Sequence, residues 1–497
     1  MTFLTLEQAG LYLADIRLLG DAQAAFERIS TDSRTAGPGD LFVALKGERF
    51  DAHDFLPEVA ARGVSAVLVA RVPQGWSVPT LQVPDTLHAL GELACGWRGR
   101  FAIPLVAVTG SNGKTTVKEM IAAIFAAAAG EAGRLATRGN LNNEIGVPLT
   151  LLRLRPEHRL AVVELGMNHP GETGVLAALA QPTVALINNA QREHQEFMAT
   201  VEAVALEHAT VIHALPEDGV AIYPADDTYS AIWRTAAADR AVLEFALAAP
   251  EQALAAVRAH AARPQVCGSV RDGRVLSVST PQGECEIVLN VLGEHNARNA
   301  LAAVAAALAA GVDLDAVKRG LESFESVKGR LQVKTATVAP LAGATVIDDT
   351  YNANPDSMRA AIAVLAAQPA PRVLVIGDMG EVGDHGPEFH REIGKFAHDG
   401  GIEILLALGS ASTAACEAFG ARGHHFASVE ALLEHLLVRL QADLPAHLPA
   451  HLPDTAGLNA SSTLLVKGSR FMRMERVVEA LTAPTTPQAP GAQPAAH

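Results

Sequence analysis

Cysteine is scarce in this 497-residue chain: Cys95, Cys267, Cys285 and Cys416 stand far apart, with no Cys-x-x-Cys spacing. That pattern excludes a disulfide framework and a cysteine-based zinc site, and four reduced, structural thiols are expected. Cys267 and Cys285 flank a predicted hairpin. Positive charge is also in deficit, with 39 Lys and Arg against 54 Asp and Glu, a formal net charge of −15, and aromatic residues make up only 4%. No basic stripe interleaved with aromatics can be drawn, so a nucleic-acid partner is not expected. Uncharged apolar runs of membrane-spanning length are missing, and Met1-Thr-Phe-Leu-Thr-Leu-Glu-Gln-Ala9 has no positive leader region, so no membrane insertion and a cytoplasmic location are expected. One further gap is local: no lysine occurs between Lys118 and Lys318.

What is present is a chain too long for one ordinary core, for which the length suggests roughly three domains. Residues 1–103 alternate short apolar runs (40–45, 66–70, 80–83) with turn chemistry and read as a small α/β module. From Pro104 to 327, predicted strands at 105–109, 160–165, 184–188 and 219–223 alternate with helical patterns, which favours a mostly parallel sheet covered on both faces. An Ala-rich helix is predicted over 296–310, ending at Gly311. Residues 328–483 repeat the alternation, with strands at 345–348, 372–376, 404–408 and 463–466, and read as a Rossmann-like domain without a Gly-x-Gly-x-x-Gly. The Pro/His-rich near-repeat at 444–453 reads as an inserted surface loop, and the Pro/Ala-rich tail at 484–497 as disordered.

The strongest local signal is Thr109-Gly-Ser-Asn-Gly-Lys-Thr-Thr116, placed between an apolar strand and a helix predicted to begin near Lys114. Backbone N–H groups of Gly110, Ser111, Asn112 and Gly113, the helix N terminus and the Lys114 ammonium form a cradle for the β- and γ-phosphates of a nucleotide. Thr115 is suited to place its hydroxyl on Mg²⁺, with Thr116 beside it. The first glycine comes late, at Gly110, with Val108 where the usual pattern has Gly.

Three more clusters sit where a nucleotide site needs them. Glu164 ends a buried apolar run in Val162-Val-Glu-Leu-Gly-Met167, where it either holds Mg²⁺ or caps or pairs locally. His194 closes Asn188-Asn-Ala-Gln-Arg-Glu-His194 after the next strand, where it either reaches a metal or a substrate oxygen or is structural, as a lone histidine more often is, and imidazole is an uncommon Mg²⁺ ligand. In Gly293-Glu-His-Asn-Ala-Arg-Asn299, Asn296 and Asn299 have the three-residue spacing that suits amide contacts to a purine, with N-capping by Asn296 compatible.

Taken together these motifs resemble the Mur ligases, ATP-dependent amide-forming enzymes of peptidoglycan assembly, over nearly the whole chain. The resemblance implies a uridine-nucleotide domain at 1–103, a central ATP domain at 104–327 and a Rossmann-like domain at 328–483. It implies ATP and Mg²⁺ as cofactors, with Lys114, Glu164, His194 and Arg330 in catalysis. Asn296, Asn299, Arg330 and Asp349 are implied on ATP, and Thr115, Glu164 and His194 on the metal.

Thr31-Asp-Ser-Arg34, Gly39-Asp-Leu-Phe-Val-Ala-Leu-Lys-Gly47, Asn140-Leu-Asn-Asn-Glu-Ile-Gly-Val-Pro148 and Tyr351-Asn-Ala-Asn-Pro-Asp-Ser-Met358 are similar to the branch that adds D-alanyl-D-alanine to a UDP-N-acetylmuramoyl-tripeptide. They put Ser33, Arg34, Lys46, Thr137, Asn140, Asn142, Asn143, Tyr351, Asn352 and Asn354 on substrate. A monomer is the family expectation. Many members carry a carbamylated lysine in the helix after the magnesium histidine, and here the stretch reads Val204-Ala-Leu-Glu-His-Ala-Thr-Val211, with Glu207 or His208 near that position. Glu207 is expected to supply the missing negative charge as a metal ligand. Alternatives are a Mur-like binding subunit with altered catalysis and a folylpolyglutamate synthase-like ligase, against which the module around Thr31-Asp-Ser-Arg34 argues.

Overall fold

The computed structural model describes residues 3–193, 195–248, 265–439 and 458–483. Three large sheets and a two-stranded antiparallel pair, Leu4–Thr5 with Ala25–Phe26, organise them. The first has five strands in the order Arg17–Leu19, Thr80–Gln82, Ala66–Val69, Asp40–Val43 and Arg28–Ser30, antiparallel only at the Arg17–Leu19 edge. Side chains alternate between faces along a strand, so Leu41, Val43 and Leu68 enter one core while Phe42, Val67 and Val69 enter another. The first of these cores is continuous with the inner face of the central sheet, where it meets Leu105, Ala107 and Val163. Helix Thr86–Arg98 lies at this junction. Trp97 donates to the Leu154 carbonyl at 3.1 Å, and Arg98 to the carbonyls of Ala180 and Gln181 at 3.2 and 3.1 Å.

Nine strands form the central sheet. Six run parallel in the order Ala241–Leu247, Val220–Pro224, Val184–Ile187, Leu105–Thr109, Leu160–Glu164 and Arg134–Ala136, with Val266–Arg271 parallel beyond Ala241–Leu247. An antiparallel wing, Val275–Thr280 and Gly283–Val288, completes it. The inner strands read as continuous apolar runs because both faces are covered. Val106 and Val108 point to helices Lys114–Ala129 and Glu294–Ala309, and Leu105 and Ala107 point the opposite way.

The last sheet runs Gln332–Thr335, Thr345–Asp349, Thr463–Lys467, Arg372–Gly377, Ile404–Leu408 and Gly423–Phe426, parallel except at its first pair. No helix among the described residues is long and apolar enough to cross a membrane. All four cysteines are free thiols, Cys267 and Cys285 lying on strands that flank a common neighbour. The Pro/His-rich segment 444–453 and the tail 484–497 lie outside the described residues.

Candidate active site

The central and C-terminal sheets turn the carboxyl ends of their strands toward one cavity of about 1120 Å³. This is where an open α/β sheet offers its loops and helix N termini to a ligand. Strand Leu105–Thr109 runs into the phosphate loop, and helix Lys114–Ala129 starts on Gly113. Two glycines are required there. Gly110 has φ +129° and Gly113 φ +83°, and a Cβ at Gly113 would stand 2.5 Å from Asn299 Oδ1 and 2.7 Å from Asn188 Nδ2. A side chain at Gly110 would meet the backbone nitrogens of Asn188 and Asn189 at 3.0 Å.

Amide groups hold this loop from outside. Ser111 N donates to Asn189 O at 3.1 Å, Asn112 N to Asn189 Oδ1 at 2.9 Å, and Gln191 N to Ser111 Oγ at 2.8 Å. Asn188 Nδ2 reaches both the Asn112 carbonyl, at 2.7 Å, and Asn299 Oδ1, at 2.9 Å; Asn299 in turn donates to Asn296 Oδ1 at 3.0 Å. Asn296 and Asn299 therefore line the cavity while tying the Ala-rich helix to the loop. Asn296 Nδ2 reaches back to the Leu292 carbonyl at 2.8 Å, and Gly293 occupies the N-cap position. Lys114 folds back over the loop: its ammonium lies 2.5 Å from Gly110 O, 3.2 Å from Ser111 O and 3.2 Å from Glu193 Oε2.

Two carboxylates singled out in the sequence differ in their surroundings. Glu164 ends its strand at the cavity, 3% exposed. Its Oε1 accepts from Asn142 Nδ2 at 2.7 Å, its backbone N–H donates to Thr137 Oγ1 at 3.0 Å, and its buried Oε2 has no hydrogen-bond partner. An unsatisfied buried carboxylate oxygen is costly, so this atom marks a place for a cation or donor. Glu207 is the correction. Its two oxygens accept from Gly171 N at 2.8 Å and Thr173 N at 2.9 Å, which fastens it to the first turn of helix Glu172–Ala180, and it does not line the cavity. The carboxylate is used up as a helix cap. From the same helix, Val201–His213, it is His208 that reaches the phosphate loop's strand, with Nδ1 3.0 Å from Thr109 Oγ1. His194 lies outside the described residues.

The C-terminal sheet brings the far wall. Arg330 Nη2 donates to Thr115 Oγ1 at 2.9 Å, and its guanidinium lies 4.3 Å over the Tyr351 ring. Leu331 follows with φ +53°, a left-handed backbone that a branched residue adopts only where its surroundings hold it; here its N–H donates to Asp349 Oδ1 at 3.2 Å. Asp349 Oδ2 pairs with Lys467 at 2.7 Å, and Lys467 also donates to the Asn352 carbonyl at 2.8 Å. Burial pushes the Asp349 carboxyl upward, opposed by Lys467 and Arg330. His295, walled in beside Lys467 but opening on the cavity, is pushed down to about 4 by that enclosure, with the lysine adding to it.

Asn354 caps helix Pro355–Ala366 and exchanges hydrogen bonds with Asn112, at 2.9 Å from its Nδ2. Arg192 binds Asp356 at 2.6 Å and Glu392 at 2.7 Å, and lies 5.4 Å over Phe389.

Asn140, Asn142, Asn143, Tyr351, Asn352 and Asn354 all border the large cavity, as do Ser111 through Thr116. Thr137 is buried behind it, and its carbonyl accepts from the fully buried Lys118 at 2.9 Å. Ser33 and Arg34 border a separate cavity of about 620 Å³ with Gly47, Phe50 and Phe55, while Lys46 is exposed outside its lining. Sequence reasoning passed over Glu193, Arg192 and Gln191, although they lie within the run ending at His194, and over Lys467. Only the density of polar residues after a strand could have flagged them.

Residues 26–98 match the Mur ligase family, catalytic domain; 108–307 the Mur ligase middle domain; and 329–446 the Mur ligase, glutamate ligase domain. The UDP-N-acetylmuramoyl-tripeptide–D-alanyl-D-alanine ligase of Escherichia coli K12 is 40% identical over 94% of this chain and 97% of its own. A crystal structure of MurF from Acinetobacter baumannii is 37% identical over 92% of this chain and 94% of its own, with a TM-score of 0.80. MurF from Thermotoga maritima in complex with ADP, 24% identical with a TM-score of 0.74 over 92% of this chain and 97% of its own, shares the fold. With its α/β architecture built on three large, mostly parallel sheets, this chain belongs to the Mur ligase family.

Proposed function

We propose that this chain joins the terminal carboxylate of UDP-N-acetylmuramoyl-tripeptide to the amino group of D-alanyl-D-alanine, converting ATP to ADP and phosphate. The observation that carries the reading is full-length similarity to a ligase named for these two substrates. The cavity adds to it, with a phosphate loop on one wall and Arg330 reaching Thr115 from the other. A cytoplasmic monomer is the family expectation that goes with this reading.

ATP is needed because a carboxylate is a poor electrophile. Its oxygen attacks the γ-phosphorus in line, the bond to the ADP oxygen breaks, and an acyl phosphate forms. The dipeptide amine then attacks the acyl carbon, and the tetrahedral intermediate expels phosphate as the amine loses its proton. Lys114 leaves the loop carbonyls to follow the β- and γ-phosphates, the loop N–H groups hold the phosphate oxygens, and Arg330 reaches the same charge from the opposite wall. Asn140, Asn142 and Asn143 border the side where the tripeptide carboxylate enters, and Asn296 and Asn299 the adenine side. The uridine end belongs in the smaller cavity beside Ser33 and Arg34, with Lys46 at its rim.

Magnesium fits the donors present. The unpartnered Glu164 oxygen and the Thr115 hydroxyl are hard oxygen donors on the cavity wall, and Mg²⁺ is commonly held by one or two carboxylates with water and substrate phosphates completing its shell. Such an ion neutralises charge on the transferring phosphoryl group. Glu164 and Thr115 would hold it with phosphate oxygens, joined by His194, which the family resemblance puts on the metal.

The test is phosphate and ADP release with UDP-tripeptides carrying diaminopimelate or lysine at the third position. Stoichiometric release that needs both the tripeptide and D-alanyl-D-alanine is expected; nucleotide binding without turnover points to a binding subunit.

A further inference from the structure

A buried chain of contacts runs behind the phosphate loop. Lys114 Nζ lies 3.2 Å from Glu193 Oε2, Glu193 Oε1 lies 3.0 Å from His208 Nε2, and His208 Nδ1 lies 3.0 Å from Thr109 Oγ1. Burial deepens along it: the side chains are 16% exposed at Lys114, 5% at Glu193 and 0% at His208, and Thr109 is fully enclosed. A carboxylate only accepts, so the imidazole proton facing Glu193 sits on Nε2, and Thr109 at the loop's entry fixes the other ring nitrogen. The imidazole is thus locked between the strand that launches the loop and the carboxylate that faces the loop's lysine. Glu193 also borders the cavity in which the phosphates are placed.

An anion at that point has two opposed effects. It attracts the Lys114 ammonium, and it repels the phosphates that the ammonium must meet. We propose that Glu193 and His208 are a positioning pair for Lys114: Glu193 holds the ammonium over the Gly110 and Ser111 carbonyls and yields it to an arriving nucleotide. His208 keeps the carboxylate from turning both oxygens onto the lysine. The pair thereby weakens the hold on ADP and speeds its release. This rests on the ATP-dependent reading above and deepens it, because it assigns control of nucleotide exchange to Glu193 at the cavity wall and His208 behind it.

The experiment is direct ADP titration by calorimetry, stopped-flow release of a fluorescent ADP, and steady-state turnover on the full chain. Glu193→Gln keeps size and removes charge. It is expected to tighten ADP binding about threefold or more and to slow both release and kcat, so affinity and turnover move in opposite directions. His208→Leu is expected to weaken ADP binding about threefold or more, and to have no further effect in the Glu193→Gln background, because it acts through that carboxylate.

Weaker ADP binding in Glu193→Gln, unchanged binding and turnover, or additive effects in the double variant would overturn the pair. Thermal midpoints accompany each variant, and if His208→Leu does not fold, Glu193→Gln decides alone through its affinity and release rate. Absence of ADP binding in the unaltered chain would instead overturn the ATP-dependent reading beneath it.

Discussion

The two walls of the large cavity are built on different principles. The central wall is a network in which loop, strand ends and Ala-rich helix are tied through Asn188, Asn189, Gln191, Asn296 and Asn299, with backbone groups as frequent partners. The C-terminal wall meets it mainly through side-chain bridges, Arg330 to Thr115, Asn354 to Asn112, and Arg192 to Asp356 and Glu392, with a backbone contact from Glu196 N to Glu381 O at 3.4 Å. A surface held by many short-range amides is fixed before any ligand arrives. One held by long side chains can separate and return, which suits an enzyme that must admit two substrates and ATP and then exclude water.

Changes to the fixed wall should cost turnover outright. Lys114→Ala is expected to lower kcat by about 10³-fold or more while UDP-substrate affinity, read by calorimetry, stays within about threefold; substantial retained turnover would remove the phosphate loop from the chemistry. Glu164→Gln is expected to lower kcat by about 10²-fold and raise the Mg²⁺ needed for half-maximal rate, with no loss of thermal midpoint because an unpartnered charge is removed. An unchanged Mg²⁺ requirement would take Glu164 off the metal.

At the movable wall, Arg192→Ala leaves Asp356 and Glu392 without their shared partner. An approximately tenfold loss of kcat with a larger radius of gyration in solution scattering is expected, and an unchanged radius would show that the bridge does not hold the walls together.

Two smaller effects lie away from the chemistry. Glu207→Ala is expected to cost about 1–2 kcal/mol of stability through the lost helix cap, with kcat within a few-fold; a selective fall in kcat would return Glu207 to the metal. His295 carries a folded pKa of about 4, below the ordinary value of about 6.5, so its neutral form is favoured by the fold. Its contribution is complete above that ordinary value and is lost as pH falls through the window toward 4. Denaturant melts of His295→Gln should show a shallower acid decline across that window than the parent chain.

Much of the fixed wall was legible in the sequence. Apolar runs bounded by polar residues placed strand Leu105–Thr109 as expected, and the pattern after Gly113 placed the start of helix Lys114–Ala129. The antiparallel wing was only hinted at, as a hairpin between Cys267 and Cys285. Facing was less legible. Glu207 and His208 are neighbours on one helix and point about 100° apart, so one caps an adjacent helix and the other enters the loop's support, a choice set by how the helix is rotated. The same limit hid Glu193 inside a run whose histidine drew attention. Cross-wall bridges such as Arg192 to Glu392 depend on how two domains dock, which no local pattern encodes.

Arg330 lies 215 positions after Thr115, and Lys467 is 118 positions beyond Asp349. Because synthesis proceeds from the N terminus and domains tend to fold as units, a growing chain completes its phosphate loop well before the opposing residues leave the ribosome. A nascent chain at that stage carries Lys114 and Glu164 but lacks Arg330 and Lys467, so only one wall of the cavity is in place. The order of residues along the chain thus leaves completion of the cavity to the last domain made.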